Sequence, residues 1–221
     1  HWEFALSHVN DGWVMFIGDD DGLSPGALKH LDQLIRHHRV EAVNSAFSLF
    51  VWPGHLPEIP DGKFIVPLIA SDTVKSTKLA LQRALQGRLP YTKLPWLYNG
   101  GAASLRLINS ARDADGRFSC SQTPDLYSAV ALCLTTDRFL SVGYPIAVGG
   151  TSRRSTGAAN SIASSDEVRR AIAMYMQEDN IPFHPDLIMG KSTEILLYEC
   201  YLQAPHLRPD SPAVTLQRQL Q

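Results

Sequence analysis

Residues 13–25 read Trp-Val-Met-Phe-Ile-Gly-Asp-Asp-Asp-Gly-Leu-Ser-Pro. A short β-friendly run, Trp13 to Ile17, stops at three adjacent carboxylates, Asp19, Asp20 and Asp21, with Gly18 and Gly22 flanking them. A continuous apolar run of this length reads as a buried strand. Ser24 then offers a helix N-cap and Pro25 a first helical position. Ala27, Leu28, Leu31, Leu34 and Ile35 recur at helical spacing to about His38. Three neighbouring negative charges repel one another, so a folded chain holds them together most easily around something positive. Hard divalent cations such as Mg²⁺ or Mn²⁺ suit carboxylate oxygens and keep positions open for phosphate. The end of a strand is also where open α/β sheets bind their ligands. The competing reading is an acidic turn that favours the next helix through its dipole. An EF-hand is excluded because Gly22 comes too early for its spread of ligands, and a zinc site because no His or Cys lies in the segment.

Working outward, strands and helices interleave along the whole chain. A helix-like pattern opens at His1-Trp2-Glu3-Phe4. Residues 40–51 read as extended and stop at Trp52-Pro53-Gly54, and the Pro-rich stretch 54–62 reads as a loop. An apolar run covers 64–69, and a helix is expected over 72–86 with Gly87 just past its end. Residues 94–98 precede an Asn99-Gly100-Gly101 turn, and helices are expected over 104–112 and from Thr123 through Leu134. Residues 139–148 read as a strand ending at Gly149-Gly150. The Ser-, Gly- and Arg-rich stretch 151–165 reads as a mobile loop. Ser164 and Glu167 form a capping-box spacing before a helix ending near Asn180, and a last helix covers about 192–203. The class is α/β with one mixed sheet.

The chain has 221 residues, room for one sizeable α/β domain. Apolar residues make up 44% and charged residues 19%, the balance of a globular protein with a buried core. A net charge of −2 gives no general attraction to nucleic acid or to anionic lipid. No apolar run is long enough to span a bilayer, and no signal-peptide pattern opens the chain. Cys120, Cys133 and Cys200 are scattered and odd in number, which argues against a disulfide framework and for reduced thiols in a cytoplasmic protein.

Two further places carry chemistry. Asp125, in Thr123-Pro124-Asp125-Leu126-Tyr127-Ser128, sits in the first turn of a helix. The macrodipole alone favours an acid there, and a general base would occupy the same position. In the 149–157 stretch, Arg153 and Arg154 among small hydroxyl residues such as Ser155 suit an anionic group such as a diphosphate, or form an ordinary solvated loop. His37 and His38 end a helix, where positive charge is favoured. Trp52, Trp96 and Tyr98 are core residues or, for Trp52 beside a Pro-Gly turn, an exposed platform.

Taken together, residues 17–28 resemble the metal-binding (D-x-D) segment of family 2 glycosyltransferases with the GT-A fold. The likeness continues through Trp52-Pro53, residues 94–99, residues 124–128 and residues 145–152, and so spans most of 5–160. It implies a GT-A-like mixed sheet flanked by helices over residues 1–160, followed by a C-terminal helical extension over 161–221. The family places a further strand and loop, which hold the nucleotide base, ahead of the acidic segment. With only eighteen residues before Asp19, the expectation is a catalytic core lacking its first strands, as a piece of a longer protein would be.

By position, the resemblance implies that Asp21, with Asp19, holds a Mn²⁺ or Mg²⁺ ion. Asp19, Asp20, Arg153, Arg154 and Ser155 would contact the donor, and Asp125 would act as catalytic base. The residue before Asp125 is Pro124, where the family usually carries an acid. The implied reaction is metal-dependent transfer of a sugar, with inversion, from a nucleoside-diphosphate sugar to a hydroxyl of a glycan or lipid-linked acceptor. Polysaccharide biosynthesis in the cytoplasm, including the inner face of the membrane, would be its setting. The rival readings are a non-catalytic carbohydrate- or partner-binding module of the same fold and a metal-dependent phosphotransferase or hydrolase.

Overall fold

Ala42 and Val43, Ala102 and Ala103, and Phe139 and Leu140 are neighbouring pairs whose members belong to two different hydrophobic clusters. Successive strand residues point to opposite faces, so these pairs mark a sheet buried on both sides. The computed structural model describes residues 1–53, 62–67, 70–152, 181–188 and 192–208. Within them, β1 (Trp13–Val14), β7 (Ala102–Ser104), β3 (Ala42–Ser45), β8 (Arg138–Val142) and β6 (Thr73–Ser76) lie side by side in that order. The β3–β8 pair is parallel and the other pairs are antiparallel. One face carries α2 (Ala27–His38), which contributes Ala27 and Leu31 to the smaller cluster. The other carries α3 (Thr77–Leu85), α4 (Leu105–Ser110), α5 (Pro124–Thr135) and α6 (Thr193–Leu202).

Helix α5 is the centre of that second layer. Every residue from Leu126 to Cys133 is buried, as expected of a helix apolar all round. Leu197, Cys200 and Tyr201 of α6 pack into the same cluster. The short α1 (Trp2–Leu6) is fastened by Glu3, whose carboxylate accepts the N–H groups of Phe118 (2.8 Å) and Ser119 (2.6 Å) and pairs with Arg112 (3.1 Å).

The α/β class, with mixed sheets flanked by helices, is as expected, but there are two sheets where the sequence suggests one. The second contains β2 (Gly22–Leu23), β9 (Ala147–Thr151), β4 (Ser48–Val51) and β5 (Phe64–Ile65), in that order. The expected strand over 40–51 breaks at residues 46–47, and the one over 139–148 breaks at 143–146. At both breaks the chain passes from the first sheet to the second, so β3–β8 and β4–β9 form two successive parallel pairs. Gly143 permits its break, because a side chain there would run into the backbone of Ala70.

Other boundaries moved for local reasons. Residues 73–76 form β6 against β8 and are not helical, and Ser76 caps α3 by accepting the N–H of Leu79. Helix α2 starts at Ala27 behind Gly26, which adopts a left-handed φ of 72°. Ser24 does not cap it, because the helix begins beyond its reach with Gly26 at the N-cap, and the Ser24 N–H donates to the carbonyl of Ile146 (2.9 Å). Gly87 closes α3 with a φ of 68°, and Ser192 caps α6. The helix expected over 164–180 lies outside the described residues, as does the division at residue 160. Among the described residues, no helix is long and apolar enough to cross a membrane.

Phe139 is fully buried beneath the helical layer. Phe139→Ala is expected to cost about 3–5 kcal/mol of unfolding free energy, with no gain from collapse of the rigid sheet. Chemical denaturation checks this, and a loss below about 1 kcal/mol would contradict the assigned packing.

Candidate functional site

Strand β1 ends early, but the chain continues alongside residues 97–99. The Phe16 N–H donates to the Leu97 carbonyl (2.7 Å), and the Asn99 N–H donates to the Phe16 carbonyl (3.2 Å). The acidic turn therefore begins beside Tyr98. It ends at β2, which pairs antiparallel with β9 through Gly22–Val148 and Leu23–Ala147. The three carboxylates thus fill the step between the two sheets.

Asp21 holds this step together. Its Oδ2 accepts the Gly18 N–H (2.6 Å), closing the turn, and its Oδ1 accepts the Gly150 N–H (2.8 Å), tying the turn to β9. The Tyr98 hydroxyl lies on the same side of Gly18 as this carboxylate. Gly150 must lack a side chain, because a Cβ would collide with the Asp20 carbonyl and crowd the Trp52 indole nitrogen. Gly18 is similarly hemmed in: a Cβ there would lie 2.8 Å from Tyr98 Oη, 2.9 Å from Asp21 Oδ2 and 3.1 Å from Asp20 Oδ1. Asp20 and Asp21 therefore lean over one glycine beside one phenol.

Asp125 lies in the helical layer, on a turn tied to the residue before Tyr98. Ser128, fully buried one turn along α5, donates to the Asp125 carbonyl (2.6 Å) and accepts the Leu97 N–H (3.1 Å). This bond fixes the first turn of α5 against the segment that carries Tyr98. Burial raises the Tyr98 pKa, and the negative charges of Asp21, Asp20 and Asp125 raise it further. The phenol stays a neutral donor throughout the physiological range. Its ring is held by Trp2 and Trp96, with centroids 6.3 Å and 5.8 Å away. Tyr91 also feels Asp125, after the larger effect of its own burial.

The Asp125 pKa is raised, first by burial, against which the N–H groups of Leu126 and of Asp125 itself act to lower it. A carboxyl moved toward neutral pH is a better proton acceptor in its ionised form.

Sequence reasoning singled out the acidic segment and Asp125; the structure sets Asp20 and Asp21 over Gly18 beside Tyr98 and ties the Asp125 turn to Leu97, the residue before Tyr98. Asp19 is exposed beside them, outside the pair that leans over Gly18. Arg153, Arg154 and Ser155 lie outside the described residues. Trp52 is 43% exposed and stacks edge-on against Phe50 at 5.0 Å, while Trp96 is buried. Tyr98 as the meeting point was missed. The signal available was its adjacency to the Asn99-Gly100-Gly101 turn, where Asn99 takes a left-handed φ of 44°.

Among the described residues, no three His, Cys, Asp or Glu side chains converge as a ready-made metal cage. Two carboxylates suit a Mg²⁺-type ion that takes its remaining ligands from water and substrate phosphate. Clefts of about 600 Å³ (including Asp11, Ser104, Arg106 and Asn109) and about 390 Å³ (including Arg88, Tyr91, Glu194 and Leu197) lie elsewhere on the surface. The second touches this region only through Tyr91.

No family model and no curated protein matches this chain. Among solved structures it is similar to S. aureus TarS residues 1–349, with 15% identity over 98% of this chain and 54% of that one, at a TM-score of 0.44. It is also similar to the same protein in complex with UDP-GlcNAc, with 16% identity over 98% and 56% and a TM-score of 0.45. The chain spans about half the length of these structures.

The raised pKa of Asp125 has a stability consequence. Well below the ordinary carboxylate pKa, folded and unfolded states both carry the proton and the group contributes nothing. Above the raised folded value, the buried charge weakens folding. Asp125→Asn is therefore expected to raise Tm by a few degrees at about pH 7.5, and by much less at about pH 4. Scanning calorimetry at the two pH values checks this, and an equal shift at both would contradict it.

Proposed function

We propose that this chain is a glycosyltransferase domain that moves a sugar from a nucleoside-diphosphate sugar to an acceptor hydroxyl. The reading rests on one observation above all: Asp20 and Asp21 crowd over Gly18 beside Tyr98, and the first turn of α5, which carries Asp125, is tied through Ser128 to the neighbouring Leu97. A cation-bound diphosphate and a base that takes the proton of the attacking acceptor hydroxyl need this proximity.

Asp20 and Asp21, with Asp19 beside them, are the residues that would hold a Mn²⁺ or Mg²⁺ ion. The ion would supply positive charge against the departing diphosphate. The two carboxylates crowd together over Gly18, an arrangement that a cation would favour. Asp21 retains lone pairs for this role, since each of its oxygens accepts a single backbone N–H. Arg153, Arg154 and Ser155 are the further donor contacts in this proposal, meeting the diphosphate's negative charge.

Asp125 takes the proton of the acceptor hydroxyl as that oxygen forms a bond to the anomeric carbon. The bond from that carbon to the diphosphate oxygen breaks, and the nucleoside diphosphate leaves with the electron pair. A single displacement of this kind inverts the anomeric centre and needs no covalent glycosyl-enzyme. Ser128 holds the backbone of the turn that carries Asp125 while the carboxylate's proton load changes, and Tyr98 stays a neutral phenol beside Asp21. The exposed face of Trp52, beside Asp20 and Gly150, offers a flat apolar surface for a sugar ring or base.

Calorimetric titration with UDP, and with UDP-GlcNAc, the ligand of the TarS complex, tests the reading. Binding is expected with Mn²⁺ and lost with EDTA. Asp20→Ala is expected to weaken it about tenfold or more, whereas Asp125→Asn is expected to bind normally and lose about 10²–10⁴-fold in transfer rate. UDP binding indifferent to metal, or transfer retained in Asp125→Asn, would contradict the proposal. Metal uptake without nucleotide would favour the hydrolase reading.

A further inference from the structure

Glu199 is a carboxylate with 1% of its surface exposed, in the middle of α6, and the mechanism above makes no use of it. Its Oε2 accepts the Ser121 hydroxyl at 2.5 Å, and its Oε1 accepts the Gln203 side-chain amide at 2.8 Å. Burying such a group is costly unless its oxygens are satisfied, and here both are. The bonds continue toward the proposed base. Ser121 Oγ, itself buried, accepts the backbone N–H of Thr123 (3.3 Å), the residue that opens α5. Thr123 makes no side-chain cap of its own, and its Oγ1 lies 3.3 Å from Cys200 Sγ. Cys200 Sγ in turn lies 3.4 Å from Ser121 Oγ. Burial raises that thiol to about 12, so it stays a neutral member of the network. Gln203 also donates to the Pro182 carbonyl, and Gln122 to that of Ile181, both at 2.8 Å.

The end of α5 that carries Asp125 therefore has two fastenings. One is the Ser128–Leu97 bond toward the acidic segment. The other runs through Ser121 to a buried carboxylate on a different helix. A helix start without a side-chain cap frays readily, and a frayed first turn would let Asp125 wander from the acceptor oxygen. Glu199 is the one carboxylate in that second fastening, and an acceptor at this position satisfies two donors at once.

We propose that Glu199 is a positioning residue, which fixes the first turn of α5 through Ser121 and so holds Asp125 at its working place. The proposal rests on Asp125 being the base of a sugar transfer. It differs from a general stabilising role in what it should do to turnover.

Three variants separate these possibilities. Glu199→Leu removes both acceptors while filling the space. Glu199→Gln keeps both bonds: its oxygen accepts from Gln203 and its amide donates to Ser121, whose hydroxyl can turn toward Thr123 Oγ1, 3.4 Å away. Leu197→Ala, in the neighbouring core of α6, destabilises the same helix without touching the network. Assayed well below their Tm, Glu199→Leu is expected to lose about tenfold or more in kcat with donor KM nearly unchanged. Glu199→Gln and Leu197→Ala are expected to keep kcat within about threefold of the parent. A kcat loss in Leu197→Ala equal to that in Glu199→Leu, or no rescue by Glu199→Gln, would overturn the proposal.

Amide exchange across residues 123–128 is read on the same proteins. It should quicken in Glu199→Leu well beyond its change in Leu197→Ala, and equal quickening would overturn the fastening itself. If the parent protein transfers no sugar, the functional reading has failed, and the exchange result alone decides whether Glu199 orders this turn.

Discussion

One carboxylate sets the geometry of the proposed site. Asp21 accepts N–H groups from Gly18 and from Gly150, one within its own turn and one from a strand far along the chain, beside the Tyr98 phenol. Hydrogen bonds to a charged acceptor contribute about 1.5–3 kcal/mol each, and losing the acceptor leaves its donors stranded in a part-buried place. The two sheets have no continuous strand across this step on the acidic side. Asp21 supplies the connection there, and the bare backbone of Gly150 lets the strands come close enough for it to form.

That arrangement has an electrostatic cost, from which the functional reading grows. With Asp21 pinned, Asp20 leans over the same glycine, and the negative charge of Asp125 on α5 adds to theirs at the same phenol. Burial, with no cation contributing, raises the Asp125 pKa. A cluster of acids held in place by the scaffold is a preorganised receptor for positive charge. One acid set slightly apart, with a raised pKa, suits proton transfer. The Asp21 tie, the Ser128 bond and the Glu199 network each hold one edge of this arrangement from a different layer of the fold.

Much of the fold was legible in the sequence. The apolar spacing of residues 27–35, the Gly87 stop and the helices opening near residues 104 and 192 depend on a few neighbouring residues, and the structure keeps them. Four-residue strands are decided by distant partners. Residues 73–76 carry no mark that they will lie beside β8, and nothing in residues 40–51 says that the chain changes sheets at Ala46–Phe47. The same division holds for the site. The acid-rich turn announces itself by composition, and Asp125 by its place at a helix start. Tyr98, Ser128 and Glu199 gain their roles only from contacts across the core, which no local pattern encodes. Ser24 shows the reverse: it has the chemistry of a cap, but its N–H goes to Ile146 and the helix starts behind Gly26.

The most direct test is the position of manganese in crystals grown with Mn²⁺ and UDP, read from its anomalous scattering. The account predicts a single strong peak at bonding distance from Asp20 or Asp21, on the side that faces Asp125, with the diphosphate completing its coordination. A peak elsewhere, or none beside these carboxylates while UDP is bound, would contradict it.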